Sequence, residues 1–494
     1  MKIYIYLILL ISSTVFSQEA DEVSFNPIDA KKDLVIYREI IETAHSGMYL
    51  YTSKEEFNIL FANAEKELPK LENNRKFYKL IANIHTKINC GHSSFYPSGI
   101  IFSEVENDSV RAFFPFFKVK FLKDILVVAE DYGELKKGTQ IVTINGHSVS
   151  NITTEVFKLI SSDGYNTTFK YRQLEDDFLT NYYLAFGPKE SYTIDYISYP
   201  KFENKTIILD GISLSELGKN FNEEEANSQP YYLEYFEDKT AILTVNTFST
   251  ETKKNQKRFF KFLRNSFKEI EEKGIENLIL DIRKNTGGDD GNDMELASYF
   301  INKHFKENKF RKLNTIKNMP PQAEYLAPMW YEMLDISKKK KDKIQDIFKK
   351  MALKEVERGS DGAYYWKEDK IIHRDPAKYR FKGNVYVLTS GKVFSGGALF
   401  SALVRDKSNA IFIGEETGGG YYRHTGSIPL FYQLPNSGFF FSLFTVIGEQ
   451  DVDQKLFPEG SGTQPHYEVY QTITEFVNGK DAVLEKAKKL INDK

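Results

Sequence analysis

Residues 384 to 420, NVYVLTSGKVFSGGALFSALVRDKSNAIFIGEETGGG, constrain the fold more tightly than any other stretch. VYVLT is short, apolar and largely β-branched, the pattern of a buried strand. A loop, SGKVF, leads to Ser395-Gly396-Gly397 and an apolar run of helical length, ALFSALV. A second buried strand, AIFIG, follows and ends in the glycine-rich EETGGG. Strand, loop, helix, strand is the crossover unit of a mostly parallel sheet. Open sheets bind their ligands beyond the carboxyl ends of the strands, and there the Ser395 hydroxyl falls. The Gly396 amide is among the donors that a first helical turn leaves unpaired, so it can face a developing oxyanion. Two readings of Ser395 stand side by side: a helix N-cap, which serine favours, or a nucleophile.

A second glycine loop bears on that choice. Residues 276 to 291, ENLILDIRKNTGGDDG, read as a buried strand followed by a turn rich in Asn and Gly. Together, LILDIRKNTGG and VYVLTSGKVFSGGALF…IGEETGGG resemble the core of the C-terminal-processing (tail-specific) serine proteases, a family that includes the tricorn-like proteases. The resemblance covers roughly residues 230 to 470 well and the earlier segments more loosely. It implies Ser395 as nucleophile, with an oxyanion hole built from the amides of Gly396 and of Gly287 or Gly288. It also implies a multidomain α+β fold: an N-terminal helical domain, a PDZ-like β-rich domain, and an α/β crossover protease core of ClpP/crotonase type with an insertion.

With 494 residues, the chain has the length of about three domains. A net charge of −3 argues against nucleic-acid and other polyanionic partners. The opening MKIYIYLILLISSTVFSQ has one lysine, an apolar run and small residues, as a secretory signal peptide over residues 1–17 requires, with Val15 and Ser17 flanking the cut. A membrane anchor is the other reading, but the apolar run is shorter than the ~20 residues a spanning helix needs. Cys90 is the only cysteine, which excludes an intrachain disulfide. The expectation is an exported protein, periplasmic or extracellular, with no stable membrane anchor after cleavage.

Along the chain, residues 27–95 carry three helical patterns, the second opened by the capping box Ser53-Lys54-Glu55-Glu56. The third ends at Asn89-Cys90-Gly91-His92-Ser93. A loop histidine is ordinarily a solvated surface residue. This one resembles the D-G-H-(T/S) turn of the tricorn-like branch, which implies His92 as general base. Residues 105–200 have the cadence of a PDZ-type module, GELKKGTQIVTINGHSV, with Asn145-Gly146 as a hairpin turn. A hairpin at Glu237-Asp238 opens the core, residues 230–475, and NQKRFFKFLRNSFKEIEEKG is an amphipathic helix capped by Gly274. Residues 304–380 read as a lysine-rich, helical insertion whose Trp330, Tyr331, Tyr364, Tyr365 and Trp366 are candidates for a cleft lid. A C-terminal helix over 476–494 ends the chain.

A serine hydroxyl needs a neighbouring base. The processing-protease branch takes a lysine from a T-F-G-K-G segment; here that segment is Thr417-Gly418-Gly419-Gly420. The resemblance therefore favours His92, with Glu459 as an orienting carboxylate near the C-terminal P-E segment. The second serine that relays this effect in the tricorn-like branch is Gly91 here. Asp281 and Arg283 read as a pair that fixes the glycine loop. No His-x-x-x-His helix or nucleotide loop is present, so no metal or cofactor is implied. The expected function is an exported serine endopeptidase acting on peptides or unfolded segments. The alternative is an inactive peptide-binding scaffold of the same fold; oligomeric state is not legible.

Overall fold

The computed structural model describes residues 25–105, 110–115, 117–220, 229–236, 239–333 and 343–493. The expected signal peptide, the turn at Glu237-Asp238 and the lysine run Lys338 to Lys341 lie outside them. The N-terminal helices are α1 (Pro27–Ala44), α2 (Lys54–Glu67) and α3 (Asn74–Thr86). Ser53 and Glu56 close the capping box in both directions. Leu34, Tyr37, Ile40 and Ile41 of α1 are buried at helical spacing. After α3 the chain reverses at Asn89, whose φ of +54° asparagine tolerates better than most residues. It then enters β1 (Ser94–Tyr96).

An antiparallel sheet follows: β2 (Val119–Leu122), β3 (Ile125–Val128), β4 (Gln140–Ile144), β5 (Ser191–Ile197) and β6 (Asn204–Asp210), in that spatial order. Asn145 and Gly146 both take positive φ, as an Asn-Gly hairpin turn demands. Between β4 and β5 run α4 (Val149–Val156), α5 (Thr168–Asp176) and α6 (Phe178–Phe186).

The core sheet starts with β7 (Tyr231–Phe236) and β8 (Thr240–Val245), then α7 (Lys253–Glu272) and β9 (Asn277–Asp281). A second sheet takes β10 (Asn308–Leu313), β11 (Val356–Arg358) and β12 (Tyr364–Trp366). The chain returns to the core with β13 (Asn384–Thr389), α8 (Gly396–Lys407) and β14 (Ile411–Gly414). It goes back out through β15 (Arg423–Gln433) and β16 (Phe440–Gln450), and closes with β17 (Tyr467–Glu468) and α9 (Ala482–Asn492). The core order is β17-β14-β13-β9-β8-β7, parallel except for the β7–β8 pair. Leu280 stands opposite both Val387 and Leu243. Pleating sends Leu278 and Leu280 toward the side of α7 and α8, and Ile279 toward α9, where it joins Tyr386, Leu388, Ile413 and Ala487. Both faces are covered, which is why these strands read as unbroken apolar runs.

The insertion differs from expectation. Among the described residues of 304–380 only Pro328–Met333 and Ile344–Glu355 are longer helices; β10, β11 and β12 extend a sheet ordered β1-β16-β10-β12-β11, with β15 on the free side of β16. Lysine richness marks solvent-facing positions in a strand as well as in a helix. The aromatic strand formers Tyr364, Tyr365 and Trp366 decide the matter by pairing with β10 and β11. Trp330 and Tyr331 are buried, and the Trp330 indole donates to the Pro429 carbonyl at 2.7 Å, so these two pack the interior and line no lid. The N-terminal helices, the β2–β6 sheet and the second sheet share one continuous apolar core. No helix among the described residues is long and apolar enough to cross a membrane.

Candidate functional site

The site is assembled where the loops after β9 and β13 meet. The Ser390 hydroxyl donates to the Arg283 carbonyl at 2.6 Å, and the Phe394 amide donates to the Asn285 carbonyl at 3.2 Å. Arg283 is itself held by Asp281 at 2.6 Å and by Asp481, the cap of α9, at 2.7 Å, a purely structural pairing. Ser395 follows with φ +51° and ψ −127°. An N-cap residue ordinarily sits in the β region and accepts from the first turn. Ser395 does neither: its side chain makes no capping hydrogen bond. A non-glycine residue in such a conformation costs on the order of 1–3 kcal/mol, and persists only when its surroundings impose it. The plain N-cap reading fails, and a strained, uncommitted hydroxyl stands at the helix start.

Asn285 sets the facing loop. Its Nδ2 donates to the Val245 carbonyl at 3.2 Å, and its Oδ1 accepts the Gly287 amide at 2.9 Å. The Gly287 amide is therefore spent, which removes it as an oxyanion donor and leaves Gly288. The Gly288 and Gly396 amides donate to nothing among the described residues. A Cβ added to Gly396 would lie 3.8 Å from the Gly288 nitrogen, so the two glycines are close neighbours. Glycine is needed at both loop positions. Gly287 and Gly288 have φ of +98° and +152°, and a Cβ would come within 2.7 Å of the Ser395 Cβ or 2.0 Å of the Ser249 nitrogen.

His92 is brought here by β1. Ser94 pairs with Ser442 of β16, 348 positions away, and the Ser442 hydroxyl lies 3.5 Å from the His92 carbonyl. The imidazole is buried and packs on Phe394, the residue before Ser395, at a centroid distance of 4.5 Å. It also meets Phe444 at 5.3 Å. Burial pushes the imidazole down to about 4, so it is neutral at ordinary pH and able to accept a proton. Among the described residues no hydrogen bond links it to Ser395, and its Nδ1 has no hydrogen-bond partner. His424 of β15 is a second buried imidazole, lowered to about 3 by burial and then by His92 itself.

Glu459 is engaged elsewhere. It pairs with Arg423, which also holds Glu449 at 3.0 Å, and about half of its side chain is exposed. No hydrogen bond among the described residues carries it to His92 or Ser93. His466 accepts the Phe412 amide at 2.9 Å and so ties the C-terminal segment to β14. The glycine loop itself packs beside the serine, Gly419 lying against the Ser395 amide. Among the described residues no group of three His, Cys, Asp or Glu side chains is placed to hold a metal.

Two contributors were not read from the sequence. Asn285 is one; the sequence marks a turn rich in Asn and Gly there, but not that the Asn285 side chain consumes the Gly287 donor. Asp163 is the other, buried between α4 and α5, accepting the amides of Gly91 and Gly420. Its only sequence signal is the turn-rich run SSDGYNTT.

Residues 239–469 match the model of peptidase family S41. No curated protein matches the sequence. Among solved structures, mature CPAF complexed with lactacystin superposes with a TM-score of 0.62 at 13% identity, covering 94% of this chain and 97% of that one. Mature CPAF alone gives 0.60 at 14% identity, with 94% and 96% covered. The photosystem II D1 C-terminal processing protease gives 0.38 at 12% identity, with 89% and 92% covered.

Proposed function

The chain carries the peptidase family S41 domain and is a serine-type peptidase; from that premise we propose that it is an exported endopeptidase that hydrolyses peptides or unfolded protein segments by Ser395–His92 acyl-enzyme chemistry. His92 takes the Ser395 hydroxyl proton as Oγ attacks the scissile carbonyl. The Gly288 and Gly396 amides hold the resulting oxyanion. As the intermediate collapses, the proton passes from His92 to the leaving amine, and Ser395 retains the acyl group as an ester. Water then attacks that ester as His92 removes its proton, and His92 returns that proton to Ser395 Oγ as the C–O bond breaks and the acid product leaves.

One observation carries the reading: a serine held at φ +51° with no capping bond, beside two glycine amides that donate to nothing among the described residues. An inert scaffold has no use for that strain. Glu459 neutralises Arg423 and so helps fix the loop that Arg423 ties to β15 and β16. Substrate lies as an added strand beside a sheet edge, with the β2–β6 unit as a PDZ-like wall. Export follows from residues 1–17, and a mature N-terminus at Gln18 is its mass-spectrometric test.

A fluorophosphonate probe tests the chemistry. Wild-type protein is labelled and Ser395→Ala is not; unlabelled wild-type protein that still binds peptide would return the scaffold reading. Lactacystin, which CPAF is known to bind, serves as a second, competing probe.

A further inference from the structure

Asp163 is 4% exposed, and each of its carboxylate oxygens accepts a backbone amide from a different loop. Oδ1 takes the Gly91 amide at 2.7 Å, one residue before His92. Oδ2 takes the Gly420 amide at 3.1 Å, at the end of the triple-glycine loop that lies against Ser395. The neighbouring backbone adds two ties, from the Gly164 amide to the Asn89 carbonyl at 2.9 Å and from the Tyr165 amide to the Gly460 carbonyl at 2.8 Å. One short segment thus joins the histidine loop, the glycine loop and the loop that bears Glu459.

We propose that Asp163 is a positioning residue whose ionised carboxylate locks the His92 loop onto the Ser395 side, and whose protonation releases that lock and turns the peptidase down in acid. The inference rests on the Ser395–His92 reading and adds its regulation. A carboxylate offers both amides a full acceptor; a carboxylic acid turns one oxygen into a donor that faces an N–H. The loop it held then loses its register with the serine while the surrounding core stays packed.

Burial pushes this carboxyl up to about 6, against the two amide bonds that favour its ionised form. His92 titrates lower, at about 4, so the two events are separable by pH. The other ionisable groups around Asp163 do not confuse them. Tyr51 and Cys90 are pushed up by burial and by the Asp163 charge, the thiol to about 11, and both stay neutral. Arg423 is paired with Glu449 and Glu459.

The test follows the rate of fluorophosphonate labelling between pH 4 and 8, with circular dichroism in parallel. Wild-type protein is expected to lose labelling with a midpoint near pH 6 while its spectrum holds. For Asp163→Asn, kcat on a peptide substrate at pH 7.5 falls by about 10- to 100-fold with KM within about twofold, the size of effect a small misplacement produces. Its acid midpoint moves toward pH 4, where His92 takes over. A folded variant whose midpoint stays at the wild-type value overturns the proposal. So does a wild-type midpoint near 4, which decides the matter even where the variant does not fold. Absence of wild-type labelling at every pH instead removes the Ser395–His92 reading beneath it.

Discussion

The two halves of the candidate site are built in opposite ways. The serine half is local: Ser395, Gly396, Gly287 and Gly288 sit on two strand-to-helix loops of one parallel sheet, and backbone geometry does the work. The histidine half is long-range. His92 arrives through β1, which pairs with β16 near the other end of the chain, and its loop is pinned by Asp163 from a third region. Strain is stored in the first half, where a tight turn fixes a single residue. Burial is concentrated in the second, where an imidazole is packed against Phe394 and Phe444 and held neutral. A substitution in the serine half should therefore act on rate, and one in the histidine half on rate, pH response and stability together.

Ser395→Ala gives the largest effect. Peptidase activity should fall by at least about a thousandfold with the thermal midpoint nearly unchanged, because the side chain makes no capping bond to lose. A variant that keeps a tenth of wild-type turnover would place the nucleophile elsewhere. Next is Gly288→Ala, whose methyl would sit 2.0 Å from the Ser249 nitrogen and force the amide off the oxyanion. Losing one such donor costs about 10²–10³ in kcat, and KM should move much less. Gly287→Ala separates the two glycines: its amide belongs to Asn285, so the loss there comes from a 2.7 Å clash with the Ser395 Cβ and shows equally in probe labelling and in turnover.

His92→Ala probes the other half and carries a pH signature. The imidazole is lowered from 6.5 to about 4, so above pH 6.5 neither folded nor unfolded chain binds a proton there. Between 6.5 and 4 the unfolded chain does and the folded one does not, so stability is lost as pH falls, up to roughly 3 kcal/mol from this group. Chemical denaturation at pH 7 and 4.5 should show the variant losing less stability on acidification than wild type, alongside a rate loss of at least about a hundredfold. Equal pH slopes would mean His92 is solvated and the burial argument is wrong.

The same contrast explains what the sequence made legible. Strands buried on both faces, glycine loops at fixed places and a capping box all express themselves within a few neighbouring residues, so the parallel core, the Ser395 turn and the N-terminal helices could be read directly. The sheet within residues 304–380 could not, because its strands are stabilised by β16 from far along the chain. The choice between Gly287 and Gly288 turns on where the Asn285 side chain points, and Asp163 matters through two amides that sequence does not bring near it. Glu459 matched its motif, yet Arg423, contributed by a different strand, claims it.

The smallest effect tests whether the site has two halves at all. Lys392 stands three residues before Ser395 on the same loop, and a lysine base there would make the serine half self-sufficient. Its Nζ instead lies 2.7 Å from the Asp176 carboxylate at the end of α5, with both side chains partly exposed. Exposed pairs of this kind contribute under about 1 kcal/mol. Lys392→Met should therefore leave turnover within about twofold and shift the denaturation midpoint only slightly. If it abolished turnover while His92→Ala did not, the proton would be moving within a single loop, and the long-range assembly around His92 would be reduced to packing.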